Sequence, residues 1–162
     1  EGSPGPDSVP YSYASVWEEL QANDIPFLGL RDNPWVFSRE GEHMDPNECL
    51  VAGNTVESCS TLRETVYGGA DPSAEYLFPE NKQWGLDTSE WYCEEELCPP
   101  IIGNVYVYRD QNHVSNAFVA TTAPLIWAKL QEIFTALGTP VKGLEDGPKL
   151  DPEKGVLAGT QA

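Results

Sequence analysis

Cys98-Pro-Pro-Ile-Ile-Gly-Asn-Val-Tyr-Val-Tyr-Arg-Asp-Gln-Asn-His-Val-Ser115 is the stretch on which the fold turns. Its centre, Ile101–Tyr108, is apolar, β-branched and aromatic, a composition that predicts the best strand in the chain. Arg109–Val114 follows as a polar turn, and Ser115 stands where a helix N-cap belongs. Phe118 and Val119 begin the inward face of that helix, and Pro124 is expected to break it, kink it or start a second segment. Leu125, Ile126, Leu130, Ile133, Phe134 and Leu137 continue a helical stripe until Gly138 and Pro140 stop it. Strand, polar turn and helix in that order are the rhythm of an α/β fold, and parallel sheets bind ligands beyond the carboxyl ends of their strands.

The same rhythm occurs upstream. Val16, Trp17 and Leu20 give Ser15–Asn23 the spacing of a short amphipathic helix. Ile25-Pro-Phe-Leu-Gly-Leu30 then reads as a buried strand, closed by the turn Arg31-Asp-Asn-Pro34. Residues 35–98 are irregular by comparison, with a helical turn expected after Pro46, helix around Ser60–Tyr67 and a short strand at Trp84–Leu86. Residues 1–137 read as one unit and 138–162, rich in Gly, Pro and charge, as a flexible tail. The opening Glu1-Gly-Ser-Pro-Gly-Pro6 has neither the basic end nor the apolar run of a secretion signal, so a processed chain or a piece of a longer one is expected.

Composition narrows the function classes. Hydrophobic residues are 40% of the 162 and aromatics 10%, enough for a packed core. Against 26 acidic residues stand 9 basic ones, a formal net charge of −17. A surface this negative repels phosphate backbones and anionic lipid, which argues against nucleic acid as a partner. Apart from Glu94-Glu95-Glu96 the acid is scattered, as on a solvated face. The four cysteines, Cys49, Cys59, Cys93 and Cys98, allow three pairings, among which the sequence does not choose. The pairing expected here is local, Cys49–Cys59 and Cys93–Cys98, each stapling a loop poor in regular structure. Such disulfides imply an oxidising, extracytoplasmic compartment. The cysteines lack C-x-x-C spacing and adjacent histidines, which speaks against structural zinc, and no metal site is expected.

Two polar turns could carry chemistry. The first is Arg31-Asp32-Asn33, where Arg31 and Asp32 either form an ion pair that fixes the turn or contact substrate. The second holds Asp110 and, three residues on, His113. A histidine acting as general base must be held in one tautomer, and a carboxylate that accepts from one ring nitrogen does this while stabilising the imidazolium that forms. His43 stands in a polar loop and is expected to be exposed; Trp35, Trp84, Trp91 and Tyr92 are either core residues or sugar-stacking platforms.

The 98–115 stretch closely resembles the last block of SGNH-type hydrolase domains, in the version fused to bacterial membrane acyltransferases of family three. There a cysteine-proline and an apolar strand lead to a Y-x-D-x-x-H-[LV]-[ST] turn and a helix rich in alanine and threonine. Here those features are Cys98-Pro99, Ile101–Tyr108, Asp110, His113, Val114-Ser115 and Ala117–Pro124. The helix at Trp17–Leu20, the strand Ile25–Leu30, the turn to Pro34 and Glu48-Cys49 are similar to the middle of the same domains. The resemblance spans roughly residues 7–137 and implies part of a three-layer α/β/α parallel-sheet fold. It also implies an O-acyl, in particular acetyl, transferase or esterase acting on a cell-envelope carbohydrate or glycolipid through an acyl-serine, with Asp110 and His113 as catalytic residues and no cofactor. The domain would lie outside the cytoplasmic membrane, tethered through its parent protein to a membrane acyltransferase domain.

One departure from the pattern is large. The family's nucleophile sits in a Gly-Asp-Ser motif at the start of the domain, and no such motif occurs in residues 1–162. The chain is therefore expected to be the carboxyl-terminal half of an SGNH-like domain, whose amino-terminal half brings the serine. The competing expectation is a secreted, non-catalytic carbohydrate-binding or scaffold module, in which Asp110 and His113 merely shape a turn.

Overall fold

The computed structural model describes residues 7–139 and two short strands at 150–151 and 156–157. The fold is mixed α/β. Its first helix, α1 (Tyr11–Ala22), begins four residues earlier than its apolar spacing suggests, because Pro10 in extended conformation accepts from the amides of Tyr13 and Ala14. Asn23 ends it by donating its side-chain amide to Glu19 O at 2.8 Å. The buried face is narrow: Ala14 is covered, and Trp17 stacks on Phe27 with ring centroids 6.0 Å apart.

Phe27 opens β1 (Phe27–Leu30), which pairs in parallel with the distant β3 (Gln83–Leu86), Leu28 opposite Trp84 and Leu30 opposite Leu86. The strands pass close to the Leu77 side chain: a Cβ on Gly29 would lie 2.8 Å from Leu77 Cδ1, so a larger residue there would make that side chain shift. The crossover between these strands carries α2 (Pro46–Val51), β2 (Thr61–Leu62), α3 (Arg63–Val66) and two 3-10 turns at Pro72–Glu75 and Pro79–Asn81. After β3 come α4 (Ser89–Tyr92) and β4 (Leu97–Cys98), the latter antiparallel to β2. The helix expected around Ser60–Tyr67 is thus two residues of strand followed by one turn of helix. The side chain of Thr61 explains the change, because its Oγ1 accepts from Phe37 N and donates to Phe37 O, tying the backbone into the core.

The expected strand Ile101–Tyr108 is not one strand. It folds back on itself as a hairpin, β5 (Ile101–Ile102) against β6 (Val105–Tyr106). Gly103 and Asn104 form the two-residue turn, both with positive φ, 56° and 64°. Two consecutive left-handed residues match the right-handed twist of a tight hairpin, and Gly and Asn adopt them at least cost. The apolar run is real but its middle is a turn signal. Val107 and Tyr108 then enter the core. Among the described residues β1–β3 is the only parallel pair; the other three two-stranded sheets are antiparallel.

Ser115 caps α5 (Asn116–Ala136), accepting from Phe118 N at 3.1 Å. The helix runs unbroken past Pro124. Phe118, Thr122 and Ile133 are its buried residues, while Leu125, expected inward, is half exposed. Most of the tail from 138 on lies outside the described residues; within it β7 (Leu150–Asp151) pairs antiparallel with β8 (Val156–Leu157). The core gathers Val36, Phe37, Val66, Tyr67, Tyr92, Val107, Tyr108 and Phe118 around the Cys93–Cys98 disulfide. The second disulfide, Cys49–Cys59, ties α2 to the segment before β2. Two disulfides fit an oxidising, extracytoplasmic environment. Among the described residues no helix is long and apolar enough to cross a membrane.

Candidate active site

The Asp110–His113 turn is built by its own backbone first. Tyr108 and Val114 bridge across it, and Arg109 N donates to His113 O at 2.8 Å. Inside the closed loop, Asp110 Oδ1 accepts from Asn112 N at 3.1 Å and from His113 N at 2.9 Å, the local bonding to which short carboxylate side chains are suited. That bonding brings the imidazole over the carboxylate, with Nδ1 2.9 Å from both Asp110 oxygens. The amides of His113 and Asn112 hold the Asp110 carboxyl far below the usual carboxylate range, and the His113 ring adds to this. An ionised carboxylate can only accept, so in the neutral ring the proton is assigned to Nδ1 and Nε2 keeps its lone pair. The His113 side chain is 62% exposed, open to a reacting group. Arg109 Nε stands 3.5 Å from the outer Asp110 oxygen.

The Arg31-Asp32-Asn33 turn is a brace. Arg31, with a side chain only 2% exposed, donates Nε and Nη2 to the two oxygens of Asp7 and Nη1 to Asp87 and to Gly69 O. Its guanidinium lies 4.4 Å over the Tyr67 ring. Burial alone would lower the Arg31 pKa, and the two carboxylates more than offset it. Burial likewise pushes Asp87 up, but the Ser89 hydrogen bonds and Arg31 hold it below its ordinary value. Asp32 takes no part in this ion pairing: its side chain accepts from Asn33 N, and its carbonyl accepts from the Tyr67 hydroxyl. The ion pair that fixes this turn is therefore Arg31 with Asp7 and Asp87 rather than with Asp32.

Arg31 and Asp32 line a cleft of about 440 Å³, together with Ser8, Tyr13, Trp17 and Trp35 among others. Asp110 and His113 do not line it, but their turn abuts its wall: Asn33, on the cleft, donates Nδ2 to Asn112 O at 2.8 Å. No serine or cysteine is hydrogen-bonded to His113 among the described residues, and no group of three His, Cys, Asp or Glu there could hold a metal ion. Trp84 and Tyr92 are core, and His43 tilts against Trp35 and Phe37 at 5.2 and 4.8 Å.

Two residues to which the sequence assigned no role matter here, Asn33 and Asn47. Both grip the backbone of the His113 turn, Asn47 from α2 across 61 residues of chain. Asn33 sits in the polar turn that the sequence singled out, but nothing local marks Asn47. No family model, no curated protein and no solved structure matches the chain.

Proposed function

We propose that the chain supplies the general base and its orienting carboxylate to an acyl-serine site outside the cytoplasmic membrane. In this reading a serine beyond residues 1–162, on the amino-terminal half of an SGNH-like domain, is the nucleophile. His113 Nε2 takes the serine proton as the serine oxygen attacks the acyl carbonyl, and returns it to the departing group. An acceptor hydroxyl or water then gives its proton to Nε2, its oxygen attacks the acyl-serine carbonyl, and the serine leaves with that proton. Asp110 stays ionised throughout, holding the ring and stabilising the imidazolium. The acyl group is acetyl, and the acceptor a cell-envelope carbohydrate or glycolipid. A membrane acyltransferase domain, to which the parent protein is tethered, furnishes the donor. The β1–β3 pair would be one part of a larger parallel sheet in a three-layer α/β/α domain, completed by the serine-bearing half. No metal or organic cofactor is called for.

The observation that carries this reading is the placement of both Asp110 oxygens 2.9 Å from His113 Nδ1 while the ring stays open to solvent. The deciding experiment assembles the chain with the serine-bearing half and follows release of acetate from an acetyl ester, with and without a saccharide acceptor. His113→Ala should remove almost all turnover. Retention of more than about a tenth of the wild-type rate would fall below the 10²–10⁴-fold range of general acid–base catalysis and sink the proposal.

One observation favours a second reading, a non-catalytic saccharide-binding module. Aromatic residues Tyr13, Trp17 and Trp35 line the cleft, and the His–Asp pair does not. Saccharide binding that survives Asp110→Asn, without acyl chemistry in the assembled domain, would select it.

A further inference from the structure

The turn that presents His113 is held at nearly every carbonyl. Asn47 Nδ2 donates to both Tyr108 O at 3.2 Å and Arg109 O at 3.0 Å. Val36 N donates to Gln111 O at 2.8 Å, and Asn33 Nδ2 to Asn112 O at 2.8 Å. Arg109 N closes the loop on His113 O. The contacts come from two separate parts of the fold. Asn33 and Val36 follow β1, while Asn47 rides on α2, whose N-terminus Asp45 caps and whose Cys49 is bonded to Cys59. A polar turn needs neither partner to fold, since water would satisfy the same carbonyls. Two side-chain amides, one aimed at the carbonyls before Asp110 and the other at the carbonyl between Asp110 and His113, instead restrict how the turn can move.

We propose that Asn47 and Asn33 are positioning residues for the Asp110–His113 pair, clamping the turn from opposite ends so that the carboxylate and the imidazole stay in register. Neither touches a reacting atom. Each acts through the backbone of residues 108–112, on which the Asp110 bonds to the amides of Asn112 and His113 depend. Loosening either end lets the ring leave the carboxylate and sample its other tautomer. The catalytic consequence rests on the acyl-transfer reading; the positioning does not.

The test uses the full chain, isotope-labelled, with ring nitrogen shifts reporting the tautomer of His113 and carboxyl carbon shifts reporting Asp110. His43→Gln assigns the histidine signals. In the wild type the two His113 ring nitrogens should be well separated, as in a locked Nδ1–H tautomer. Asn47→Ala and Asn33→Ala should each draw them together, and move the Asp110 midpoint up toward the ordinary carboxylate value of about 3.9. Asn47→Asp should do the same, because it sets an oxygen against two carbonyls. Asn54→Ala is the control: Asn54 also donates an amide to a carbonyl in this region, that of Cys49, but does not touch the turn. Should Asn47→Ala unfold, Asn33→Ala tests the clamp from the other end. Unchanged tautomer and Asp110 midpoint in folded Asn47 and Asn33 variants, or an equal response to Asn54→Ala, would overturn the proposal. In the assembled domain, Asn47→Ala should lower kcat by up to about 10²-fold with KM unchanged, the cost of a misplacement near 1 Å. The expected tautomer shifts in a domain that shows no turnover at all would leave the clamp standing and remove the acyl-transfer reading.

Discussion

Replacing Arg31 by methionine tests whether that side chain is a brace or a ligand for substrate. Methionine refills much of the volume of the arginine stem and keeps a flexible apolar contact with Tyr67, so little cavity is left. What disappears is the fork: two bonds to Asp7, one to Asp87, one to Gly69 O, and the stacking at 4.4 Å over Tyr67. Breaking a buried ion pair costs about 3–5 kcal/mol because a charge is stranded. Here the stranded groups are partly wet, Asp7 24% and Asp87 43% exposed, so water takes back part of the loss. Lost stacking adds about 0.5–1 kcal/mol. The expected destabilisation is about 2–4 kcal/mol, a fall in Tm of roughly 5–15 °C for a chain of this size. Arg31→Lys should recover only part of it, since an ammonium cannot span both Asp7 oxygens, Asp87 and Gly69 O together. Urea unfolding followed by tryptophan fluorescence measures all three proteins, and an unchanged m-value keeps the comparison two-state. A loss below about 0.5 kcal/mol in Arg31→Met would refute the brace. If that variant also lost turnover or saccharide binding, Arg31 would belong to the cleft's ligand instead.

In the assembled domain, Asp110→Asn should leave the fold intact yet present the wrong tautomer, at a cost of up to about 10⁴-fold in kcat, while His43→Ala keeps full rate. The chain alone should form no adduct with a serine-reactive phosphonate, as intact mass would show; a stoichiometric adduct on any serine of residues 1–162 would place the nucleophile inside it. The Asp110 carboxyl is depressed in the folded chain, so its stabilisation is complete above the unfolded value of about 3.9 and is lost as pH falls through the lower folded value. The stability gap between wild type and Asp110→Asn should accordingly shrink as pH falls below about 4, as urea midpoints measured from pH 5 down into acid would report. Removing Cys49–Cys59 by double alanine substitution should cost about 2–3 kcal/mol by loop closure, and a peptide map under non-reducing conditions should show only the two local pairings.

Local chemistry alone makes part of this protein legible in its sequence. A carboxylate three residues before a histidine in a polar turn is within reach of the amides of Asn112 and His113, so the meeting of Asp110 and His113 can be read locally, although distant residues hold the turn that presents them. Ser115 caps α5 for the same reason, because an N-cap needs only its own hydroxyl and an amide three residues on. The strands β1 and β3 are both marked by short apolar runs, and helix, strand and turn in succession signal parallel pairing. The hairpin is legible as well, in Gly103-Asn104, but the run of β-formers around it reads as one strand unless left-handed backbone is given more weight than composition. What tertiary structure decided is everything that joins residues far apart in sequence. The same Arg31 could have paired with its neighbour Asp32; the fold instead brings Asp7 and Asp87 to it from 24 and 56 residues away and turns Asp32 to its own backbone. Asn47 carries no local sign of its role, since the carbonyls that it grips lie 61 and 62 residues along the chain. Pairings within a few residues are set by backbone geometry and recur wherever the residues do, whereas a donor meets a distant carbonyl only after the core has packed and brought the two surfaces together.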